Sequence, residues 1–368
     1  MATLPLTMPA IRKLTDGPGL DYCNEVEVPE LGPRDVLVAV THAGICGTDR
    51  HIFEWDAWSR NRVKLGITTG HEFVGQVVQV GTATQRVKVG QRVSAEGHVG
   101  CGFCEQCRTG NGHICQTVDI LGIDCNGCFA PYIAVPEENI WPVHPDIPNK
   151  VAAVFDPLGN AVHTVMAAGV SGKTVLITGV GIIGLMAVTV AKAAGATRIF
   201  VTDVDQRRLE LAMKLGAEQA LDARQPWVEK IRQSTGGKGP QVLLEMSGNA
   251  AAIRDGLSAL QNGGTAALLG IPAEEISLNL SDLIIFPGVT ILGINGRKMF
   301  ETWYQMENLI LSDQLELDSI ITHEIEMKDF ETGFAMMQSG EAIKVVMKIP
   351  QHEGELCQTV NSTSEQLS

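Results

Sequence analysis

A continuous apolar segment followed by a glycine-rich turn lies near the centre of this 368-residue chain. The run 174–178, TVLIT, is rich in β-branched residues, as expected of a buried parallel strand. The sequence GVGIIG follows at 179–184, then an apolar helical segment, and then a second apolar run, 199–202, that precedes Asp203. This order of strand, GxGxxG turn, helix and strand with a terminal carboxylate is typical of a dinucleotide-binding βαβ unit. The segment therefore predicts an α/β domain with a doubly wound parallel sheet.

Each glycine of this turn has its own expected role. Gly179 makes the tight turn, Gly181 lets a pyrophosphate approach the backbone, and Gly184 lets the helix pack on the strand. The helix N-terminus adds unpaired N–H groups and the positive end of a dipole for the phosphates. Asp203 lies about 20 residues further on, where its carboxylate can accept the ribose hydroxyls. We therefore predict NAD as the cofactor, although two arginines at 207 and 208 could accommodate a 2′-phosphate.

Length, charge and cysteine content limit the classes of protein that need be considered. A chain of 368 residues is long enough for two domains. Its net charge of −14 argues against binding to nucleic acid or to an acidic membrane surface. The first residues, MATLPLTMPAIRK, lack the apolar stretch of a signal peptide, which predicts a cytoplasmic protein. Nine cysteines, four of them between 101 and 115, suit reduced thiols and a metal better than a disulfide framework.

The hydrophobic pattern changes near residue 157. Residues 1–157 contain short alternating or apolar runs interrupted by Gly, Pro and Asp, which predicts an irregular, barrel-like β domain. From 158 to 297 predicted strands alternate with helices, so an open parallel sheet is expected. The predicted strands are 175–178, 199–202, 242–245, 265–269 and 289–292. Helices are expected near 300–311 and 328–338, a strand over 342–349 that returns to the first domain, and a frayed polar tail after Pro350.

Four cysteines with regular spacing form the strongest local pattern in the sequence. They follow the pattern C-x2-C-x2-C-x7-C and are Cys101, Cys104, Cys107 and Cys115. Four thiolates this close can form a closed tetrahedral shell around Zn²⁺, with no open coordination position. We therefore predict a structural zinc site that holds a long loop. An iron–sulfur cluster can use a similar spacing and remains an alternative.

A sparser set of metal-binding residues lies upstream of this loop. Cys46 occurs in GICGTDRH, and His71 and Glu72 occur in GHEFVG. Catalytic zinc needs three protein ligands and an open position. From the residues alone, the third ligand is either Glu72 or Asp156, the latter in FDPLGN. A buried cysteine and a hydrogen-bonded histidine of the core are the alternative interpretation.

Polar residues near these two sets suggest further roles. Thr48 and His51 share a turn with Cys46 and could carry a proton to solvent, although an N-cap threonine and an exposed histidine are equally compatible with the pattern. His98 precedes the four-cysteine loop and could face a substrate. Cys125 and its CxxC partner at 128 flank Asn-Gly, which indicates a hairpin turn more than a redox site.

These motifs together resemble the zinc-dependent medium-chain dehydrogenase/reductase superfamily. The resemblance rests on GHEFVG, on the four-cysteine loop, and on GVGIIG ahead of a strand that ends in Asp. Within the superfamily, HIFEWDAWS, EGH, FDPLGNAVHT and GRKMFETWY are similar to the members that oxidise L-threonine. The similarity spans about residues 20 to 350. It implies a GroES-like catalytic domain over 1–157, completed by 298–368, and a Rossmann NAD-binding domain over 158–297.

The resemblance also implies roles for individual residues. The catalytic zinc ligands would be Cys46, His71 and Glu72, and the structural zinc would take the four clustered cysteines. Thr48 and His51 would form the proton relay. Asp156 would be important at or beside the metal, and His98 would lie close to the substrate pocket.

Eight residues besides the glycines of the turn would line the NAD site. These are Ile183, Asp203, Arg208, Leu269, Gly270, Ile271, Ile294 and Asn295. Many relatives carry Tyr in place of Asn295, which leaves that contact open. Relatives are commonly homotetramers, so the resemblance implies the same assembly here.

The activity expected from this resemblance is NAD-dependent oxidation of the L-threonine 3-hydroxyl to 2-amino-3-oxobutanoate, assisted by zinc. A polyol or secondary-alcohol dehydrogenase on the same fold would share the metal and nucleotide motifs. A non-catalytic NAD-binding protein is a further alternative, but the complete set of metal and relay residues argues against it.

Overall fold

The computed structural model describes residues 4–351. The tail predicted to fray therefore lies, from residue 352 onward, outside the described residues. The strands are β1 (Thr7–Lys13), β2 (Asp21–Glu27), β3 (Asp35–Gly44), β4 (Ile67–Thr68), β5 (Glu72–Val80), β6 (Arg92–Ala95), β7 (His98–Val99), β8 (Asp119–Ile120), β9 (Tyr132–Pro136), β10 (Ile140–Pro142), β11 (Thr174–Thr178), β12 (Arg198–Asp203), β13 (Gln219–Asp222), β14 (Val242–Glu245), β15 (Thr265–Leu268), β16 (Thr290–Gly293), β17 (Ile321–Glu326) and β18 (Lys344–Lys348).

The helices lie mostly in the second half of the chain. They are α1 (Gly47–Glu54), α2 (Ala57–Arg62), α3 (Glu105–Arg108), α4 (Asn149–Ala152), α5 (Phe155–Ala168), α6 (Ile182–Ala193), α7 (Gln206–Leu215), α8 (Val228–Ser234), α9 (Ala250–Ala259), α10 (Glu301–Leu311) and α11 (Phe330–Gln338). Within residues 4–351, no helix has the length and apolar character needed to cross a bilayer.

Six parallel strands form the sheet predicted from the glycine-rich turn. Their order is β13-β12-β11-β14-β15-β16, and each neighbouring pair is parallel. The expected α/β fold with a doubly wound sheet is confirmed. All five predicted strands are present, while β13 was not predicted. Its four residues, QALD, are only partly buried at the sheet edge, so they carry little hydrophobic pattern.

Both faces of this sheet are covered, which explains the continuous apolar run of β11. Val175 and Ile177 belong to a core formed with α5 and α6, whereas Leu176 packs on the opposite face with Trp227 of the β13–α8 connection. Alternate residues of a strand point to opposite faces, so a strand buried on both sides needs apolar residues at every position.

The β-rich part of the chain is built around β3. Its main sheet has the order β10-β6-β5-β3-β18-β17, with β9 also paired to β3. A second sheet has the order β2-β1-β4. Strand β18 pairs antiparallel with β3, Val346 opposite Gly44, so the last strand of the chain returns to the N-terminal sheet. The division into domains at residues 157 and 297 stays our proposal, and this pairing supports it.

We predict that replacing Gly184 by alanine affects stability, whereas replacing Gly181 by alanine affects NAD binding. A Cβ at Gly184 would lie 2.1 Å from the Gly179 carbonyl oxygen, whereas a Cβ at Gly181 has nothing within 4 Å. Gly184→Ala should therefore lower the free energy of unfolding by about 1–3 kcal/mol, as overpacking does. Gly181→Ala should leave that free energy unchanged and weaken NAD binding instead. Denaturant titration and fluorescence titration with NAD measure the two effects; equal unfolding curves for Gly184→Ala and the wild type would contradict the packing argument.

Candidate active site

Strand pairing brings the predicted ligands of the catalytic metal together. Gly44 at the end of β3 lies opposite Glu72 at the start of β5. Cys46 follows β3 by two residues, and His71 immediately precedes β5. The ligand atoms of Cys46, His71 and Glu72 all lie within 4.8 Å of one another. Three protein ligands at this spacing leave room for a fourth, exchangeable ligand.

The chemistry of these side chains suits a divalent cation. Glu72 Oε1 and His71 Nδ1 are buried and have no hydrogen-bond partner among the described residues. Burial lowers the pKa of the His71 imidazole, but the negative charges of Asp49 and Cys46 raise it to about 10. A bound cation would take the place of that proton. Thiolate, imidazole and carboxylate together are a donor set that zinc accepts.

Asp49 lies next to two residues of this cluster. Its Oδ2 accepts a hydrogen bond from the Cys46 backbone N–H at 2.8 Å, and its Oδ1 lies 3.8 Å from His71 Nδ1. The Asp49 side chain is fully buried. At 3.8 Å the two groups are not hydrogen-bonded, so Asp49 acts on the His71 ring through its charge.

The geometry favours Glu72 over Asp156 as the third ligand, the choice that the residues alone left open. Asp156 is not among the residues of the cluster, and its Oδ2 instead lies 2.6 Å from an Nη1 of Arg297. Glu72 Oε2 is 2.5 Å from the buried Lys344 Nζ, which leaves Oε1 unpartnered. Burial lowers the pKa of Lys344, but the charge of Glu72 raises it above its usual value. Gly44 permits this approach, since a Cβ there would lie 2.3 Å from Glu72 Oε2.

The two proposed relay residues lie on the short helix α1. Thr48 is half-buried, and His51 is exposed. His51 Nδ1 lies 2.7 Å from Asp56 Oδ2, a contact that holds the ring at the protein surface. The two residues are three positions apart on the same helix, and the relay itself stays a prediction.

The four clustered cysteines form a second group of potential ligands. Their sulfur atoms lie within 4.8 Å of one another. Backbone N–H groups of Cys101 and Thr117 donate to Cys115 Sγ and lower the pKa of that thiol to about 6. Burial raises the pKa of Cys107 to about 12, so a cation is needed to keep all four groups as thiolates. The arrangement fits a closed metal site.

The second CxxC is not joined by a disulfide in the structure. Cys125 and Cys128 are both free thiols, and burial raises the pKa of each, that of Cys125 to about 11. The Cys128 thiol donates to the Glu72 carbonyl oxygen at 3.5 Å. The Cys128 side chain therefore packs against the backbone at the start of β5.

Most residues predicted to bind the cofactor lie at the carboxyl ends of neighbouring parallel strands. The glycine-rich turn follows β11, residues 269–271 follow β15, and residues 294–295 follow β16. Ile183 and Arg208 lie in the first turns of α6 and α7. Open parallel sheets bind ligands at this edge, where the strand order reverses, here between β11 and β14. Asn295, whose role was open, donates its Nδ2 to the His113 carbonyl oxygen at 3.3 Å.

Asp203 lies where the sequence placed it, at the end of β12. Its Oδ2 accepts from the Val180 N–H at 2.7 Å, and its Oδ1 accepts from the Asp205 N–H at 2.9 Å. The carboxylate is thus held against the glycine-rich turn. The nearby Arg207 guanidinium pairs with Asp205 at 3.1 Å.

Comparisons with known proteins agree with this arrangement. Residues 32–146 match the family model of the alcohol dehydrogenase GroES-like domain, and residues 183–312 match that of zinc-binding dehydrogenases. An L-threonine 3-dehydrogenase from Symbiobacterium thermophilum is 46% identical over 343 residues, covering 93% of this chain and 97% of the relative. The chain belongs to the zinc-dependent medium-chain dehydrogenase/reductase superfamily.

Solved structures of this superfamily share the whole fold. A protein from Sinorhizobium meliloti assigned to the zinc-binding dehydrogenases, solved with NADP, has a TM-score of 0.85 and 30% identity, covering 94% of this chain and 99% of its own. An alcohol dehydrogenase from Thermus sp. ATN1 has a TM-score of 0.84 and 28% identity, covering 93% and 100%. The medium-chain dehydrogenase described here thus acts on a small molecule and depends on zinc and a nicotinamide cofactor.

A buried ionic network beside the metal cluster of this medium-chain dehydrogenase was not predicted from the sequence. Glu96 is fully buried and accepts hydrogen bonds from Arg297 Nε and from Trp303 Nε1, both at 2.8 Å. His98 Nδ1 lies 2.9 Å from Glu96 Oε1 and 2.9 Å from an Nη2 of Arg297. Burial raises the pKa of Glu96, but the charge of Arg297 holds it well below its usual range. The EGH motif contained Glu96, but no local pattern paired it with a residue 201 positions away.

A second buried carboxylate that was not predicted from the sequence lies near the glycine-rich turn. Glu245 ends β14, is fully buried, and accepts hydrogen bonds from the N–H groups of Ser247 and Gly248 at 2.9 and 3.2 Å. Ser247 in turn packs directly on Gly179, where a Cβ would lie 2.7 Å from the Ser247 Cβ. Glu245 could have been found from the sequence, because it is a carboxylate at the end of an otherwise apolar predicted strand.

We predict that the two metal sites respond differently to loss of one thiolate. Cys46→Ser should remove activity and one zinc ion per chain and leave the melting temperature close to that of the wild type. Cys104→Ser should remove the other zinc ion and lower the melting temperature, since binding of a structural metal is coupled to folding. Zinc content by atomic emission and thermal unfolding give the two readouts.

Cys23→Ser is the matched control, because Cys23 is a free thiol outside both groups. It should retain both zinc ions. If Cys104→Ser kept its stability and zinc content while Cys46→Ser unfolded, the two assignments would have to be exchanged.

Proposed function

We propose that this protein is an NAD-dependent L-threonine 3-dehydrogenase, which oxidises the 3-hydroxyl of L-threonine to 2-amino-3-oxobutanoate. The observation that carries the proposal is a cluster of Cys46, His71 and Glu72 beside Asp156, in a chain 46% identical to a protein of that name. The roles of these residues in the reaction are part of the proposal.

In the proposed reaction, one set of residues holds the metal and another transfers the proton. When bound, zinc supplies a Lewis acid that lowers the pKa of an alcohol hydroxyl, and NAD⁺ accepts a hydride. Cys46, His71 and Glu72 would hold the metal. Thr48 would accept the hydroxyl proton and pass it to His51, whose exposed ring releases it to solvent.

His98 is our candidate for recognition of the substrate's polar groups. Its side chain is 12% exposed, and Glu96 and Arg297 fix the direction of its ring. L-Threonine carries an ammonium and a carboxylate besides the hydroxyl. A site that satisfies such groups rejects analogues that lack them, because its buried polar atoms would then be left unpaired.

NAD is proposed over NADP because of the position of Asp203. Its carboxylate, buried at the end of β12, would meet the adenosine ribose and repel a 2′-phosphate. The Arg207 guanidinium is engaged by Asp205, which reduces its availability for that phosphate.

We also propose that the protein is a cytoplasmic homotetramer. Strand β16 lies at the edge of the parallel sheet, and three of its four residues are exposed. Exposed apolar side chains, Ile285, Phe286 and Ile291, lie on or just before this strand. An exposed apolar edge strand is a template for pairing with another strand, and a second copy of the chain would cover it.

The proposed substrate preference is tested by steady-state reduction of NAD with zinc-loaded protein. L-Threonine should be turned over better than sorbitol, 2,3-butanediol or a simple secondary alcohol by a factor of about 10⁴ or more in kcat/KM. NADP in place of NAD should give a much lower kcat/KM. His98→Ala should raise KM for threonine more than it raises the Kd for NAD.

Three results would contradict parts of this assignment. Vigorous oxidation of sorbitol without activity on threonine would identify a polyol dehydrogenase on the same fold. NAD binding without turnover of any alcohol would indicate a non-catalytic member. Comparable efficiency with NADP would show that the interpretation of Asp203 is wrong.

The proposed assembly is tested by light scattering. The wild type should have about four times the 39.5 kDa mass of the chain. Ile291→Glu should reduce the measured mass, since a charge on the strand edge opposes pairing. Val89→Glu is the control, because Val89 is also exposed but lies far along the chain from β16. An unchanged mass for Ile291→Glu, or a monomeric wild type, would exclude this interface.

A further inference from the structure

Arg297 connects three parts of the chain at one buried point. Its guanidinium is 2% exposed, and its Nε and Nη2 face the two carboxylate oxygens of Glu96. On the other side, Nη1 lies 2.6 Å from Asp156 Oδ2 and 3.3 Å from Asn160 Oδ1. A planar guanidinium can serve two such groups at once, which a lysine ammonium cannot do in the same geometry.

The backbone leaves space for this side chain at one helical position. A Cβ at Gly159, in the middle of α5, would lie 2.7 Å from both Cγ and Cδ of Arg297. An ordinary helix position favours alanine over glycine. Here the glycine lets the arginine cross over the helix and reach Asp156.

Asp156 lies beside the metal cluster. A Cβ placed on Gly97 would lie 3.6 Å from Asp156 Oδ2 and 3.8 Å from His71 Cβ, so the two side chains flank the same point. Asp156 nevertheless lies outside the group formed by Cys46, His71 and Glu72. Its carboxylate is instead paired with Arg297.

We infer that Arg297 is a positioning residue that holds the Asp156 carboxylate away from the Cys46–His71–Glu72 cluster and so reserves the third ligand position for Glu72. The inference rests on the proposed function only in that the cluster binds zinc. Arg297 itself would touch neither metal nor substrate. Glu72 keeps a buried, unpartnered Oε1 for the role, whereas Asp156 is committed to the guanidinium.

The test uses full-length protein loaded with Co²⁺ in place of zinc, because the visible absorption of Co²⁺ depends on its ligands. Arg297→Lys keeps the charge but loses the planar fork, so Asp156 is released. Its spectrum should differ from that of the wild type, and that of Asp156→Asn should not. The double variant should recover the wild-type spectrum, since no carboxylate is then available. The four-cysteine loop is identical in all four proteins, so its absorption cancels in difference spectra.

Kinetics provide a second readout of the same variants. Arg297→Lys should lower kcat/KM for the alcohol substrate on the order of 10²-fold, the loss expected when catalytic groups are displaced by about 1 Å. The Kd for NAD should stay unchanged, because Arg297 lies outside the predicted cofactor residues. The two substitutions should be non-additive, as expected for residues in contact.

Gly159→Ala displaces Arg297 without removing its charge and serves if Arg297→Lys does not fold. It should reproduce the spectral change, whereas the control Gly17→Ala, with open space around its Cβ, should not. A wild-type spectrum for Arg297→Lys and Gly159→Ala, or a spectral change that persists in the double variant, would overturn the inference. Because the spectra need no substrate, a failure to oxidise threonine would count against the proposed function and leave this inference standing.

Discussion

The pairing of β3 with its neighbours is the constraint on which the active site depends. Strand β5 on one side places Glu72 opposite Gly44, and β18 on the other side brings Lys344 against the same carboxylate. Cys46 follows β3 directly, so its thiol is delivered to the cluster by the end of the same strand. A shift of register by one residue would turn these side chains to the opposite face of the sheet. Backbone hydrogen bonding therefore brings the three side chains of the cluster together.

Buried charges then fix the orientation of the groups on this frame. Glu72 is paired with Lys344, and Asp156 and Glu96 share Arg297, all in regions of low solvent exposure. Such pairs add little net stability, because the cost of desolvating both ions offsets their attraction. Removing one partner is different, since it leaves an unpaired buried charge at a cost of about 3–5 kcal/mol. The pairs therefore act mainly by making alternative arrangements of the site unfavourable.

The sequence predicted the parallel sheet well because a strand buried on both faces must be apolar at every position, as in β11. It predicted two groups of candidate metal ligands, leaving one ligand of the second group open, and the structure brings each group together. It missed β13, whose edge position demands little hydrophobicity. It did not predict the contacts of Glu245 and Arg297, because the position of a charged residue in the sequence does not show which distant residue it will contact.

Two features were determined by the sequence alone, the glycine-rich turn and the four-cysteine loop. In both, the interacting residues are close together in the sequence, so the local course of the backbone is enough to bring them together. Only the tertiary structure gave a reason to favour Glu72 over Asp156 as the proposed third ligand. That choice depends on Lys344 and Arg297, which lie far along the chain from the carboxylates they bind. Contacts of this kind exist only once the sheets have paired, because nothing in the local sequence holds such distant residues together.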